Sequence, residues 1–189
     1  MINIAIFASG KGSNAQKIIH YFKHSEIAKV QLVVSNKMDA PVLGIAEAAG
    51  ISTLVLNTKA FYQSEQLLVE LRQFQIDWIV LAGFLWLVPD YLVKAFHRRM
   101  VNIHPALLPR YGGKGMYGKK VHQAIWVAKE PQTGMTIHYV NEQYDDGDII
   151  FQAACALTQE DSPEDIARKV QQLEHQYFPE IIDLLLKVA

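Results

Sequence analysis

The sequence is poor in cysteine, in long apolar runs and in charge of one sign, and each scarcity excludes a class of protein. Cys155 is the only cysteine among 189 residues, so neither a disulfide framework nor a cysteine-based metal site is predicted. No apolar run approaches the ~20 residues that a membrane-spanning helix needs. The 18 Lys and Arg residues and the 19 Asp and Glu residues give a formal net charge of −1. That balance gives no electrostatic argument for a nucleic-acid partner or for an anionic membrane.

The rest of the composition is typical of a globular protein. Half of the residues are hydrophobic and 20% are charged, and a chain of this length usually forms one domain with its own core. The first residues, Met1–Phe7, lack the basic region of a signal peptide. We therefore expect a single domain over residues 1–189, located in the cytoplasm, that acts as a monomer or homodimer without a metal.

Strand-like and helical patterns alternate along roughly the first two thirds of the chain. Apolar runs predict strands over residues 4–8, 30–35, 52–56, 78–82 and 100–103. Helical patterns lie between them, around Ile18–Phe22 and over residues 40–49, 64–74 and 89–96. Near-continuous apolar strands that alternate with helices predict a mostly parallel, twisted sheet with helices on both of its faces.

The pattern changes after residue 133. Two strand-like runs, at 135–140 and 149–157, are joined by the acidic segment 141–148, which predicts a long hairpin-type connection. Ser162 and Pro163 then have the residue types that favour a helix N-cap and a first helical position. The predicted fold is therefore a Rossmann-like α/β fold that ends in a β-hairpin plus a helix.

The segment Ala8–Asn14 reads A-S-G-K-G-S-N and lies between the first strand and the first helix. Its glycines allow a phosphate close to the backbone, and the start of a helix favours an anion. The spacing matches neither the P-loop nor the dinucleotide fingerprint. The second strand is followed by Asn36 and Lys37, without the acid that holds a ribose diol. A mononucleotide-like phosphate is therefore favoured over NAD, and a plain tight turn stays open as the alternative.

Asn102 and His104 lie at the end of another predicted strand, two residues apart. Since residues i and i+2 of a strand share a face, an amide and an imidazole point towards one place. Such a pair is suited to hold a carbonyl oxygen as it becomes negative. The alternative is a turn that carries a surface histidine.

Asp145 and His138 are the remaining candidates. A carboxylate beside an imidazole orients it and favours its protonated form, but Asp145 taken alone also fits an ordinary solvated turn. His138 alternates with apolar neighbours, and we interpret it as a buried core histidine rather than a catalytic one.

Taken together, four segments resemble one enzyme family. They are Ala8–Asn14, Leu81–Leu85, Asn102–Tyr111, and Thr136–Val140 followed by Asp145. In this order, and over nearly the whole chain, they are similar to the glycinamide ribonucleotide formyltransferases of purine biosynthesis. The resemblance implies the formyltransferase fold and the transfer of a formyl group from 10-formyltetrahydrofolate to the amine of glycinamide ribonucleotide. It implies no metal.

The resemblance also implies individual roles. Asn102 is expected to stabilise the oxyanion, His104 to donate a proton, and Asp145 to favour the protonated imidazole and order a proton-shuttling water. The implied substrate-binding residues are Gly12, Ser13, Asn14, Gln171 and Glu174. Pro109 is expected to contact the substrate as a bend that holds the following loop beside the glycinamide. The implied folate-binding residues are Leu85, Trp86, Leu87, Val88 and Asn102.

Some departures from the family accompany the resemblance. Trp86 stands where other members often carry a basic or a smaller residue, so the wall of the folate pocket is expected to differ. The segment Gly112–Lys120 is longer than in relatives, and it is either an active-site flap or a surface loop.

Four other functions fit the sequence less well. Formyltetrahydrofolate hydrolase (the deformylase) and methionyl-tRNA formyltransferase share the Asn, His and Asp chemistry. Each carries a further domain, for which we expect no room between the first strand and the last helix. A nucleotide- or folate-binding module without catalysis is disfavoured by the joint presence of Asn102, His104 and Asp145. An NAD-dependent oxidoreductase is disfavoured by the missing acid after the second strand.

Overall fold

A computed structural model describes residues 1–188, within which seven strands form one sheet. Ala189, the last residue of the predicted domain, lies outside the described residues, and the single domain over 1–189 stays a prediction. The strands are β1 (Ile2–Phe7), β2 (Ala28–Ser35), β3 (Ser52–Val55), β4 (Trp78–Leu81), β5 (Met100–His104), β6 (Gln132–Tyr139) and β7 (Ile149–Ala156). The helices are α1 (Ser13–Phe22), α2 (Pro41–Ala48), α3 (Thr58–Gln63), α4 (Gln66–Gln73), α5 (Asp90–Ala95), α6 (Lys119–Val127) and α7 (Pro163–Val188).

The strand order is β3-β2-β1-β4-β5-β6-β7. The pairs from β3 to β5 are parallel, whereas β5 with β6 and β6 with β7 are antiparallel. The mostly parallel α/β sheet, the C-terminal strand pair and the final helix are thus confirmed. The parallel pairing places the carboxyl ends of β1, β4 and β5 at one edge of the sheet, where ligands of open α/β sheets bind.

Hydrophobic clusters cover both faces of the sheet because neighbouring residues of each buried strand point to opposite sides. In β1, Ile4 and Ile6 pack with residues of α1, α2, α6 and α7. Ala5 and Phe7 pack on the other face with residues of α3, α4 and α5. Helices on both faces were predicted, and the structure confirms them.

Three features differ from the predictions. Helix α3 lies where the sequence predicted no element and is only six residues long. It is stabilised by the Asn57 side chain, which accepts a hydrogen bond from the Ala60 amide at 3.1 Å. Helix α6 lies inside a region without a predicted element, since its buried face consists only of Val121, His122 and Ile125. Strand β6 begins at Gln132 rather than at residue 135, because backbone pairing with β7 extends it beyond its apolar run.

The predicted start of α7 is confirmed. The Asp165 amide donates to Ser162 Oγ at 3.1 Å, and the Ser162 amide donates to Asp165 Oδ2 at 3.0 Å, which satisfies two amides of the helix start. The Ser162 hydroxyl and amide, followed by Arg168, lower the pKa of Asp165 to about 2. Within residues 1–188, no helix is both long and apolar enough to span a membrane.

Candidate active site

One cavity of about 700 Å³ lies at the carboxyl ends of β1, β4 and β5 and is closed on one side by α7. Its wall contains most of the side chains that the sequence singled out. They are Asn14, Leu85, Asn102, His104, Asp145, Gln171 and Glu174. The cavity therefore brings together polar groups from the start of α1, the end of β5, the β6–β7 connection and the last helix.

His104 and Asp145 are adjacent in the cavity wall. The imidazole, in a residue only 3% exposed, places Nδ1 3.4 Å from Asp145 Oδ2 and Nε2 2.8 Å from the carbonyl oxygen of Tyr111. Both ring nitrogens thus face an acceptor, which suits a protonated imidazole because only that form donates from both nitrogens. The structure thus places the Asp145 carboxylate beside the His104 imidazole, whereas the catalytic roles of the two residues stay a prediction.

Opposing influences act on Asp145. Burial raises the pKa of its carboxyl group, but contacts with His104 and His138, the charge of His104 and the Gly113 amide together hold that pKa well below its usual range. The Gly113 amide donates to Oδ2 at 3.0 Å. Asp145 is therefore ionised at neutral pH, and its negative charge lies beside the His104 imidazole.

The orientation of the Asn102 amide is set from the neighbouring strand. Asn102 pairs with His138 across β5 and β6, and Asn102 Nδ2 lies 3.0 Å from His138 Nε2. His138 Nδ1 lies 2.8 Å from the carbonyl oxygen of Tyr139. Since a carbonyl only accepts, Nδ1 carries the hydrogen and Nε2 accepts one from Asn102.

The second amide hydrogen of Asn102 faces a weaker partner. Asn102 Nδ2 lies 3.4 Å from Asp145 Oδ1, which is longer than an ordinary N–H···O hydrogen bond. This hydrogen therefore remains available to an oxygen atom in the cavity. His138 is buried, as its apolar neighbours predicted, but its contact with Asn102 was missed because it depends on the strand register.

The loop before α1 combines close packing with exposed backbone donors. Gly12 has φ of 77°, and a Cβ atom there would lie 2.6 Å from Val42 Cγ2, so a side chain at this position would collide with α2. The Gly12 cap makes no side-chain hydrogen bond to the first turn of α1. The amides at the helix start are therefore free of a side-chain cap and can receive an anion.

The start of α1 is hydrogen-bonded to α7. Asn14 Nδ2 donates to Glu174 Oε2 at 2.8 Å, and Gln171 Nε2 donates to Ser13 Oγ at 3.2 Å. Burial raises the pKa of Glu174, opposed by the Asn14 hydrogen bond and by the charge of His104. Gly12 and Ser13 support this wall without being among the residues that line the cavity.

The predicted folate segment divides between two spaces. Leu85 lines the central cavity, whereas Trp86, Leu87 and Val88 line a recess of about 50 Å³ that they share with Asn102 and Asp145. The Trp86 ring packs against Phe61, with 5.5 Å between the ring centroids. Trp86 therefore extends an aromatic cluster at the edge of the cavity.

Pro109 lies apart from the other predicted site residues. It lines a separate pocket of about 370 Å³ together with Arg110, Tyr111 and Glu130. The reason is that the Leu108 amide donates to Thr136 Oγ1 at 3.0 Å, which holds the chain against β6 at this point. Contact between Pro109 and the substrate stays a prediction.

The segment before α6 and one histidine of that helix complete the cavity wall. Residues 113–118 and His122 line the cavity beside His104. The sequence left open whether residues 112–120 form an active-site flap or a surface loop, and no pattern in it pointed to His122. Among residues 1–188, no group of three or more His, Cys, Asp or Glu side chains is arranged to hold a metal ion.

Comparison with known proteins places this fold and site in a class. A family model described as formyl transferase matches residues 2–182. The chain belongs to the formyl transferase family.

Individual relatives within the family carry a more specific name. The chain is 40% identical over 185 residues to the chloroplastic phosphoribosylglycinamide formyltransferase of Arabidopsis thaliana, covering 95% of this chain and 63% of the relative. It is 36% identical over 191 residues to the phosphoribosylglycinamide formyltransferase of Bacillus subtilis (strain 168), covering 98% of this chain and 95% of the relative. The chain thus spans less than two thirds of the plant relative and nearly all of the bacterial one.

Solved structures of proteins with the same or a similar name have the same fold as this chain. The phosphoribosylglycinamide formyltransferase from Anaplasma phagocytophilum superimposes with a TM-score of 0.90 at 31% identity, covering 98% of this chain and 87% of that chain. The glycinamide ribonucleotide transformylase 1 from Geobacillus kaustophilus superimposes with a TM-score of 0.88 at 34% identity, covering 98% and 99%. The predicted formyltransferase fold is thereby confirmed.

Proposed function

We propose that this chain transfers the formyl group of 10-formyltetrahydrofolate to the amine of glycinamide ribonucleotide, which gives formylglycinamide ribonucleotide and tetrahydrofolate in purine biosynthesis. The observation that carries the proposal is the meeting of Asn102, His104 and Asp145 in one cavity wall. The names of relatives that match nearly the full chain give the substrates. Membership of the family indicates formyl transfer as the reaction, and the proposal adds the acceptor, glycinamide ribonucleotide.

The first task of the site is to stabilise negative charge on the formyl oxygen as the amine attacks. The free hydrogen of the Asn102 amide and a protonated His104 are the donors for this oxygen. Loss of one such donor in comparable sites costs ~2.7–4 kcal/mol. Because His104 Nε2 faces the carbonyl oxygen of Tyr111, the substrate oxygen has to replace that carbonyl or share the hydrogen with it.

The second task is to move a proton. The attacking amine is a nucleophile only when neutral, and it must lose a proton after the attack, while the departing folate nitrogen must gain one. Ionised Asp145 holds the imidazole and orders a water for this transfer. General acid–base catalysis of this kind contributes ~100–10,000-fold to the rate.

The two substrates occupy different parts of the cavity in this proposal. The phosphate of the ribonucleotide binds at the start of α1, which Gly12 leaves uncapped, and its remaining part contacts Asn14, Gln171 and Glu174. The folate lies along Leu85–Val88 and contacts Asn102. Trp86, which packs on Phe61, contributes an aromatic surface to this side.

Product analysis with purified protein tests the proposal. Protein, glycinamide ribonucleotide and 10-formyltetrahydrofolate are mixed, and formylated ribonucleotide and formate are both measured. We expect formylated ribonucleotide, and no formate when the ribonucleotide is omitted. Formate in the absence of ribonucleotide would identify a formyltetrahydrofolate hydrolase instead. Binding of both compounds without any product would identify a non-catalytic module.

Further parts of the proposal concern the protein as a whole. We propose a cytoplasmic enzyme with small-molecule substrates, no required metal, and a monomeric or homodimeric state. Light scattering after gel filtration measures the oligomeric state. Full activity in excess chelator is the expected result for a reaction that hydrogen bonds alone support.

A further inference from the structure

His122 is the least explained polar residue of the cavity wall. It lies in the first turns of α6, is only 8% exposed, and lines the same cavity as Asn14, His104 and Glu174. Its Nδ1 atom is buried and has no hydrogen-bond partner. A buried nitrogen without a partner costs roughly 1–3 kcal/mol, so a rotation of the ring that brings Nδ1 to a ligand in the cavity would recover that energy.

The charge state of His122 narrows the choice of ligand. Burial, and then the positive charge of His104, lower the pKa of His122, so its imidazole is neutral at neutral pH. A neutral imidazole offers one donor and one acceptor. A neutral imidazole is poorly suited to bind a phosphate, because the amides at the uncapped start of α1 stabilise its negative charge better.

A second polar group of the same cavity favours a hydroxyl group as the ligand. Glu174 lies in the same cavity and is partly committed to Asn14, whose amide donates to its Oε2 at 2.8 Å. A hydroxyl both donates and accepts, so it can donate to this carboxylate and pair with the imidazole at once. Of the groups in the proposed substrates, the sugar hydroxyls combine this chemistry with a place beside the phosphate loop.

We infer that His122 hydrogen-bonds a ribose hydroxyl of the ribonucleotide and is a specificity-determining residue for the sugar. The inference rests on the proposed function and adds a contact that the family resemblance did not imply. It concerns binding of the ribonucleotide, not the chemical step or the folate.

The first test compares His122→Ala and His122→Gln with wild type. We expect His122→Ala to raise the KM for the ribonucleotide about 10-fold, the loss of one hydrogen bond, with the KM for formylfolate unchanged. His122→Gln keeps a donor and an acceptor and should restore part of the affinity. Gln123→Ala is the matched control, because Gln123 is the next residue of α6 and is exposed. An unchanged ribonucleotide KM in His122→Ala would overturn the inference.

The second test uses ribonucleotides that lack the 2′- or the 3′-hydroxyl. With wild type, one analogue should bind about 10-fold more weakly than the ribonucleotide. In His122→Ala, removal of the same hydroxyl should weaken binding little further, because the hydrogen-bond partner of that hydroxyl is already absent. Additive losses for both analogues would overturn the contact. If His122 acted only through His104, His122→Ala would instead shift the pH profile of kcat.

Calorimetry with the ribonucleotide alone separates this inference from the proposed function. Wild type that forms no product would refute the proposed function, whatever the affinity of the His122 variants for the ribonucleotide. If wild type forms product and His122→Ala binds the ribonucleotide as tightly as wild type, only the inference is refuted. Thermal unfolding of His122→Ala well above the assay temperature would show that its loss of affinity is not a loss of fold.

Discussion

The side-chain amide nitrogen of Asn102 lies 3.0 Å from Nε2 of His138, directly across the antiparallel pair of β5 and β6. His138 is itself fixed, since its Nδ1 donates to the carbonyl oxygen of Tyr139 at 2.8 Å. The backbone of β6 therefore determines which way the Asn102 amide points. His138 is a positioning residue that acts through Asn102.

Replacing His138 should lower turnover more than substrate binding. In His138→Ala the amide loses its acceptor and can rotate, so we expect kcat to fall roughly 10-fold or more. This is less than the ~100–1,000-fold loss seen when an oxyanion donor itself is removed. Steady-state kinetics with each substrate varied in turn measures the kcat and both KM values.

Two further variants make the His138 test specific. His138→Gln retains an acceptor near Asn102 and should recover part of the turnover. His97→Ala removes an exposed histidine and should behave as wild type. Normal kcat in His138→Ala would show that the Asn102 orientation does not need this contact.

His104→Ala and Asp145→Ala should each lower turnover far more than substrate binding. His104 supplies a donor and Asp145 holds it 3.4 Å away, so we expect kcat losses on the order of 100-fold. The double variant should lose little more than the worse single one, because the two residues act together. Single-turnover rates and equilibrium binding measure the two effects separately.

Asp146→Ala is the matched control for Asp145→Ala. Asp146 is the next residue of the same connection, is exposed, and contacts Asn141 rather than the cavity. It should retain wild-type turnover. Near-normal turnover in both His104→Ala and Asp145→Ala would refute the roles proposed for them.

Glu174→Gln should stabilise the protein while weakening ribonucleotide binding. Burial raises the pKa of Glu174, so the folded state disfavours its charge, whereas Gln is neutral and still accepts from Asn14. We expect the free energy of unfolding at pH 7 to rise by roughly 0.5–2 kcal/mol. Chemical denaturation gives this value, and calorimetry gives the loss of ribonucleotide affinity.

The pH dependence of this stabilisation has a definite sign. An acid whose pKa is raised on folding binds protons more readily in the folded state, so wild type gains stability relative to the variant as pH falls. The difference between Glu174→Gln and wild type should therefore shrink below neutral pH. A constant difference from pH 7 to the onset of acid unfolding would mean that Glu174 carries no unfavourable buried charge.

Gly147→Ala should disturb the segment that carries Asp145. A Cβ atom at Gly147 would collide with the carbonyl oxygen of Tyr139, so the connection between β6 and β7 has to shift. We expect a lower midpoint of thermal unfolding and a lower kcat. Gly44→Ala is the control, since its Cβ would meet nothing within 4 Å on α2. Equal behaviour of the two variants would show that the segment adapts without moving Asp145.

The sequence by itself determined most of the elements and the fold class. Apolar strands that alternate with helices require a covered parallel sheet, and Ser162 with Pro163 marked the start of α7. Asn102 and His104 were found because two-residue spacing at a strand end places both side chains on one face. These features depend on the local backbone and on the hydrophobic period, both of which are read along the chain.

Only the tertiary structure decided how distant groups meet. The pairing of Asn102 with His138 depends on the register of β5 and β6, and Asp145 reaches His104 because the β6–β7 connection turns back towards β5. The packing of α6 brings His122 to the cavity, whereas the hydrogen bond from Leu108 to Thr136 holds Pro109 away from it. Such contacts arise from register and long-range packing, which no local pattern encodes.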